Sequence, residues 1–245
     1  MKLIEIAKKR FNEKGSQLVH FTGNEKIDKF LNNLEKYPHA YVLACIMDRQ
    51  IKAERAWRIP YDVCKEFNSF KIKELAEIPE NEYIILFEKN KLHRFNTSMA
   101  KDFHKAILRI KDIYNSDASK IWSGKPSSSS VVYRFMEFSG SGIKISTMAA
   151  NILARQFKIP FSDYYSIDIS PDVHIKRVMK RLGYVSENAT NDMIIYKARE
   201  LNPEFPGIID FSCWEIGRNW CKPKNPDCKN CIVNNECQTS IKNGG

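Results

Sequence analysis

CKPKNPDCKNCIVNNEC, residues 221–237, places Cys221, Cys228, Cys231 and Cys237 at a spacing of C-x6-C-x2-C-x5-C. Four thiols this close together build a disulfide framework, a zinc site or an iron–sulfur site. Redox compartment separates the first from the other two. The N-terminus, MKLIEIAKKRFNEKG (1–15), has neither the apolar run nor the small-residue cleavage site of a secretory signal. No stretch approaches the ~18 apolar residues of a membrane span. We therefore expect an intracellular protein without membrane attachment, where disulfides are rare. Seven cysteines are an odd number, and Cys45 and Cys64 fall in apolar stretches that read as buried free thiols. Metal is favoured over disulfide. Four-thiolate zinc sites usually pair two short C-x2–4-C knuckles across a longer gap. Here a single C-x2-C is flanked by gaps of six and five residues in one continuous loop. That suits a [4Fe–4S] cube; spacing alone leaves zinc open.

The chain has 245 residues, enough for one large domain or two modest ones. Its hydrophobic content of 43% indicates a globular protein rather than a disordered one. The formal net charge of +10 points toward a polyanion, most often nucleic acid, although a merely basic soluble protein has the same balance.

Most of the chain reads as helix. Residues 26–35 carry Ile27, Phe30, Leu31 and Leu34 at helical spacing. Residues 40–47, AYVLACIM, are apolar all round and predict a central buried helix. Helical patterns continue over 99–114, 128–138 and 143–157, while Tyr83–Phe87 is ambiguous between helix and strand. Pro60, Pro79, Lys125–Ser130, Pro160 and Pro171 mark expected loops. In Ser170–Gly183, Ser170 is the expected N-cap, Pro171 the first helical residue and Gly183 the C′ residue. Ile175, Val178, Met179 and Leu182 form an apolar stripe. Lys176, Arg177, Lys180 and Arg181 form the opposite face, which is either solvated or turned toward nucleic acid.

Between two helical segments lies Phe-Ser-Gly-Ser-Gly-Ile-Lys, residues 138–144. Gly140 and Gly142 permit positive φ and leave backbone amides uncovered. With the dipole of the following helix they make a site for one phosphate of a nucleic-acid backbone. A plain turn is the competing reading of such a Gly-x-Gly, and a surface lysine that of Lys144. Asp172-Val173-His174 opens the 170–183 helix. A first-turn Asp ordinarily complements the dipole, and the same placement keeps its carboxylate ionised to stabilise developing positive charge.

Taken together, Gly140-Ser141-Gly142-Ile143-Lys144, Asp172-Val173-His174, Gly217-Arg218-Asn219-Trp220-Cys221 and the 6-2-5 cysteine spacing resemble the helix-hairpin-helix DNA glycosylases of the endonuclease III family. The resemblance is clear over about 130–237 and thinner upstream, where Met47-Asp48-Arg49-Gln50 matches a Gln-containing turn whose glutamine fills the hole left by an extruded base. It implies an all-α fold of two helical domains flanking a DNA-binding cleft. A six-helix barrel with the helix-hairpin-helix motif would span 36–160. An iron–sulfur domain would combine 1–35 and 161–245. The cofactor implied is a [4Fe–4S] cluster on Cys221, Cys228, Cys231 and Cys237, shielded by Trp214 and Trp220. The activity implied is base excision by a bifunctional DNA glycosylase and AP lyase, with Lys144 as nucleophile and Asp172 as its carboxylate partner. Gly140, Gly142, Gln50, Lys222 and Lys224 would contact DNA. The partner would be double-stranded DNA bearing a damaged base or abasic site, met by a monomer in the cytoplasm or nucleoid.

Oxidised pyrimidine is the substrate class the resemblance makes commonest. A monofunctional glycosylase for mispaired thymine or uracil, 8-oxoguanine or alkylated purine stays open, as does a non-catalytic iron–sulfur DNA-binding protein. A mismatch adenine glycosylase is not expected, since the sequence stops soon after Cys237 and that type carries a further C-terminal domain. Three departures stand out. Phe138-Ser139 replaces the usual Leu-Pro. Ile51-Lys52-Ala53-Glu54 follows Gln50 in place of a Thr/Ser/Asp-rich run. Residues 161–170, FSDYYSIDIS, lengthen the Lys-to-Asp interval and read as a loop bordering the cleft. They also bring a rival carboxylate, Asp168, although Asp172 alone has the Val-His continuation.

Overall fold

The computed structural model describes residues 1–13 and 18–242. All regular structure among them is helical. The helices are α1 (Lys2–Asn12), α2 (Glu25–Asn32), α3 (Pro38–Met47), α4 (Ala53–Glu66), α5 (Ile72–Leu75), α6 (Glu80–Lys89), α7 (Asn96–Ile113), α8 (Ser128–Met136), α9 (Ile143–Arg155), α10 (Val173–Arg181), α11 (Asn191–Leu201), α12 (Asp210–Asn219) and α13 (Gln238–Lys242). Short 3₁₀ turns at Ala118–Ile121, Pro206–Ile209 and Asn234–Glu236 complete the order. Among the described residues no helix is long and apolar enough to cross a membrane.

The chain divides into two compact units. One gathers the region from α2 to Pro126 together with Tyr133–Ala149. The other gathers α1, Ser127–Val132 and the chain from Ala150 onward. This differs from the expected 36–160 barrel beside a domain of 1–35 and 161–245, which also includes residues 14–17 and 243–245 outside the described set. The difference has a packing cause. Phe30 of α2 meets Tyr37, Tyr61 and Phe70 at 5.0–5.6 Å between ring centroids, so α2 belongs with α3 and α4. Asn151 donates to the Gly207 carbonyl at 2.8 Å, so the second half of α9 belongs with the C-terminal unit.

Helix α3 is the axis of the first unit. All ten of its residues are buried, and α2, α4, α7 and the 118–121 turn pack around it. The buried Tyr41 hydroxyl donates to the Ala149 carbonyl at 2.7 Å, fixing α9 to this core. In the C-terminal unit α10 lies against α12, and α1 and α11 pack on the 206–209 turn.

Several local expectations change. Tyr83–Phe87 is helical, inside α6. Pro60 lies within α4 rather than in a loop. Helix α10 begins two residues later than expected: Asp172, not Ser170, is its N-cap, accepting from the amides of His174 and Ile175 at 2.9 and 2.8 Å. The end of α10 matches the expectation. The Gly183 amide bonds to the Lys180 carbonyl and that of Tyr184 to Met179, a Schellman closure.

Candidate functional site

The hairpin between α8 and α9 is a tight turn fixed from three sides. The Ser141 amide donates to the Phe138 carbonyl at 3.0 Å, and Gly140 sits at φ +82, the third position of a type II turn. Gly142 is not in the left-handed region, so only one of the two expected glycines has that role. Phe138 is buried against Tyr114 and Phe135, beneath the Arg109 guanidinium, where the resemblance puts leucine. Ser139 Oγ donates to Asp102 Oδ1 at 2.7 Å, and Arg49 Nη1 reaches Asp102 Oδ2 at 3.2 Å. Asp102 thus ties the hairpin to the turn after α3. A side chain on Gly140 would run into this pair, its Cβ lying 2.5 Å from Asp102 Oδ2 and 2.7 Å from Arg49 Nη1.

Gly142 and Ile143 open α9 on the surface. Among the described residues the amides of Ser139, Gly140, Gly142 and Ile143 meet no protein acceptor. An open run of amides at a helix N-terminus is suited to an anion. Lys144 follows in the first turn of α9 and is exposed.

The turn after α3 belongs to the same unit. Gln50 is exposed and held at φ +55, a left-handed conformation that costs a non-glycine residue about 1–2 kcal/mol. Two residues earlier Asp48 caps the C-terminus of α3, half-buried, with Trp57 Nε1 donating to its Oδ2 at 3.2 Å. Burial raises the Asp48 carboxyl pKa, opposed by the Trp57 hydrogen bond and then by the positive charge of Lys144. The run Met47-Asp48-Arg49-Gln50 contains this acid, but the charge of Lys144 reaches it from far along the chain, which no local spacing carries.

In the C-terminal unit, the rival carboxylate Asp168 is held by both arms of Arg199 at 2.8 and 2.7 Å. The loop at 161–170 is packed: Asp163 accepts from Ser128, Ile167 and Ile169 are buried, and Tyr164 sits among Phe11, Phe161 and Phe205. The α10–α12 crossing explains the Asp-x-His and Gly-Arg motifs together. A Cβ on Gly217 would lie 2.7 Å from His174 Cβ, so only glycine permits this approach. Arg177 donates to the carbonyls of Gly217 and Cys221 at 2.8 and 2.5 Å. Arg181 donates to the Lys222 and Pro223 carbonyls and lies 3.4 Å from Cys221 Sγ. These two arginines serve the cysteine loop, and Lys180 donates to the Glu187 carbonyl. The basic stripe of α10 is therefore neither wholly solvated nor wholly available to a polyanion.

All four loop cysteines line one pocket, with Val178, Leu182, Ile216, Trp220 and Val233 as its apolar wall. Burial pushes the Cys231 thiol up, and Cys221, Cys237 and Cys228 push the same way. Among the described residues no three His, Cys, Asp or Glu side chains converge to hold a single ion. Trp220 lines the pocket as expected of a shield; Trp214 instead stacks on Phe211 and lies beneath Arg218. Lys222 and Lys224 are exposed. Cys45 and Cys64 are buried free thiols, and burial pushes Cys64 up to about 12.

A family model described as HhH-GPD superfamily base excision DNA repair protein matches residues 43–204. Endonuclease III of Thermotoga maritima is 32% identical over 76 residues, which are 31% of this chain and 36% of that protein. The chain thus matches about a third of the length of that curated relative. A solved structure of a trapped endonuclease III–DNA covalent intermediate, an estranged-adenine complex, aligns with 99% of this chain and 95% of its own at a TM-score of 0.64 and 18% identity. A thermostable thymine-DNA glycosylase aligns with 98% and 97% at a TM-score of 0.62 and 14% identity. At these identities the structural likenesses show the all-helical fold.

Proposed function

The chain belongs to the HhH-GPD superfamily of base excision DNA repair proteins, and from that premise we propose that it is a bifunctional DNA glycosylase and AP lyase. The observation that carries the proposal is Lys144, exposed in the first turn of α9 directly after a hairpin of open amides. In this reading Ser139, Gly140, Gly142 and Ile143 hold one DNA phosphate. A base inside the duplex is out of reach, so the nucleotide is extruded, and Gln50, presented by its left-handed turn, fills the hole.

Lys144 Nζ, as neutral amine, attacks C1′. The C1′–N bond breaks and the base leaves with its electron pair. Opening of the sugar ring gives an imine between Lys144 and C1′. Loss of a C2′ proton then expels the 3′ phosphate by β-elimination. Asp172 is the fixed anion for positive charge at C1′. Its Oδ1 already takes two helix amides, which fix the carboxylate in place.

The donor set of the cysteine pocket fits a [4Fe–4S] group: four thiols, an apolar wall, and an arginine against one sulfur. Cys221, Cys228, Cys231 and Cys237 would each hold one iron. When bound the group supplies structure, bracing a loop whose Lys222 and Lys224 meet phosphates. A monomer on double-stranded DNA is the working form. The substrate class proposed is oxidised pyrimidine, on the resemblance alone.

A panel of duplexes each bearing one lesion tests the reading. Base release and strand nicking are expected on oxidised pyrimidines. Base release without nicking, or release confined to mispaired thymine or uracil, 8-oxoguanine or alkylated purine, would replace that assignment. Binding with no release from any duplex would make the protein a non-catalytic DNA binder.

A further inference from the structure

The reading above gives the phosphate grip to the hairpin and the vacated place in the stack to Gln50. One side chain joins the two. Asp102 stands in the first half of α7, in the same unit as the hairpin and the turn after α3. Its two carboxylate oxygens take one partner each. Ser139 Oγ donates to Oδ1 at 2.7 Å from the hairpin, and Arg49 Nη1 donates to Oδ2 at 3.2 Å from the turn. Arg49 directly precedes Gln50, and its amide donates to the Met47 carbonyl at 2.8 Å. The same Nη1 lies 3.5 Å from the sulfur of Met99, also on α7. A left-handed residue follows on either side of the link: Gln50 at φ +55 after Arg49, and Gly140 at φ +82 after Ser139.

We propose that Asp102 is a positioning residue for base extrusion: it holds the Gln50 turn at a fixed distance from the phosphate-holding hairpin. The assignment rests on the reading of Gln50 as the residue that fills the hole, and extends it. A left-handed non-glycine residue persists only where its surroundings over-determine it, and Arg49, anchored next door, supplies that restraint. The two oxygens of one carboxylate have a covalent spacing, so hairpin and turn move together while both bonds hold. The hairpin can grip a phosphate wherever it meets DNA. Gln50 reaches the hole only if its turn stands at the matching distance. Setting that distance in advance removes an ordering cost from the extrusion step. Ser139 stands where the resembled family usually has proline, so the hydroxyl that closes the link belongs to this sequence.

A plain surface ion pair is the competing account, and such a pair contributes little to stability. Asp102 differs from one in three ways. It is partly buried, it has two partners on two separate elements, and it closes directly on Gly140, where an added Cβ would lie 2.5 Å from Oδ2 and 2.7 Å from Arg49 Nη1. The sign of its charge is also wrong for a DNA contact, since an acid beside a phosphate site repels the backbone. What Asp102 holds accounts for its place there; what it could bind does not.

Equilibrium binding tests this without any need for catalysis. Fluorescence anisotropy gives the affinities for an undamaged duplex and for one carrying a tetrahydrofuran abasic analogue, and their ratio reads the entry of Gln50. Asp102→Asn keeps the shape of the acid but loses the charge that holds Arg49. It should lower the ratio about tenfold, while the undamaged duplex is bound no more weakly than by the wild type. Gln50→Ala should lower the ratio too, and the double variant should lose no more than the larger single loss, because Asp102 acts through Gln50. Ser139→Ala, which deletes one exposed hydroxyl, should lower it in the same direction, and it decides the matter if Asp102→Asn does not fold. Were Asp102 only a nearby charge, its neutralisation would tighten binding to every duplex and leave the ratio unchanged; that result overturns the proposal. So do losses from Asp102→Asn and Gln50→Ala that add in full, or a wild-type ratio in Ser139→Ala. A wild-type ratio in Gln50→Ala removes the reading of Gln50 and this assignment together, as does a wild type that binds both duplexes equally. A ratio lowered by Gln50→Ala but not by Asp102→Asn removes the assignment alone.

Discussion

Gly140 and Gly142 look alike in sequence and do different work. Gly140 supplies the positive φ of the hairpin and the space into which Asp102 and Arg49 close. Gly142 has ordinary φ, and a Cβ there would meet nothing within 4 Å. Gly140→Ala should therefore lose about 2 kcal/mol or more of stability, from backbone strain and displacement of Asp102. Gly142→Ala should stay within about 0.5 kcal/mol. Thermal or urea unfolding of the two variants checks this, and equal effects would contradict the assigned geometry. The hairpin is legible as a turn in the sequence, but this division of labour is not, because it depends on Asp102, 38 residues away from Gly140 along the chain.

At the scale of helices, legibility follows the strength of the pattern. AYVLACIM reads as a buried helix because no face of it is polar, and α3 is buried at every position. Helix α4 is obscured by Pro60, which sits in its interior with its ring buried. Ser170 and Pro171 are good local signals and misplace the start of α10, while the two bonds to the Asp172 carboxylate decide the cap. The compact units differ from the expected domains at α2 and α9, where aromatic contacts and the Asn151–Gly207 bond are long-range. Helix α3 also carries a pH liability. Burial pushes the His39 imidazole down to about 4, against a hydrogen bond with the Phe70 backbone. A depressed folded pKa contributes stability that is present above about 6.5 and is lost as pH falls toward 4. Stability should drop by about 2 kcal/mol between pH 7 and pH 5 from this group. His39→Asn should flatten that part of the pH dependence of the unfolding midpoint; an unchanged slope would assign the loss elsewhere.

For the whole molecule, composition points in a direction and motifs supply the address. A net charge of +10 favours a polyanion without saying where it binds. The hairpin, the Asp172 helix start and the cysteine spacing, in that fixed order, identify the family that the 43–204 match establishes. Arg177 and Arg181 show what charge counting misses, since both are spent holding the cysteine loop. The central claim is that Lys144 bonds covalently to the sugar of damaged DNA. Borohydride reduction during incubation with an abasic-site duplex tests it most directly. The account predicts a stable protein–DNA adduct with the wild type, located at Lys144 by peptide mapping and absent in Lys144→Ala, which should still bind the duplex. No adduct with the wild type, or an undiminished adduct with Lys144→Ala, would contradict it.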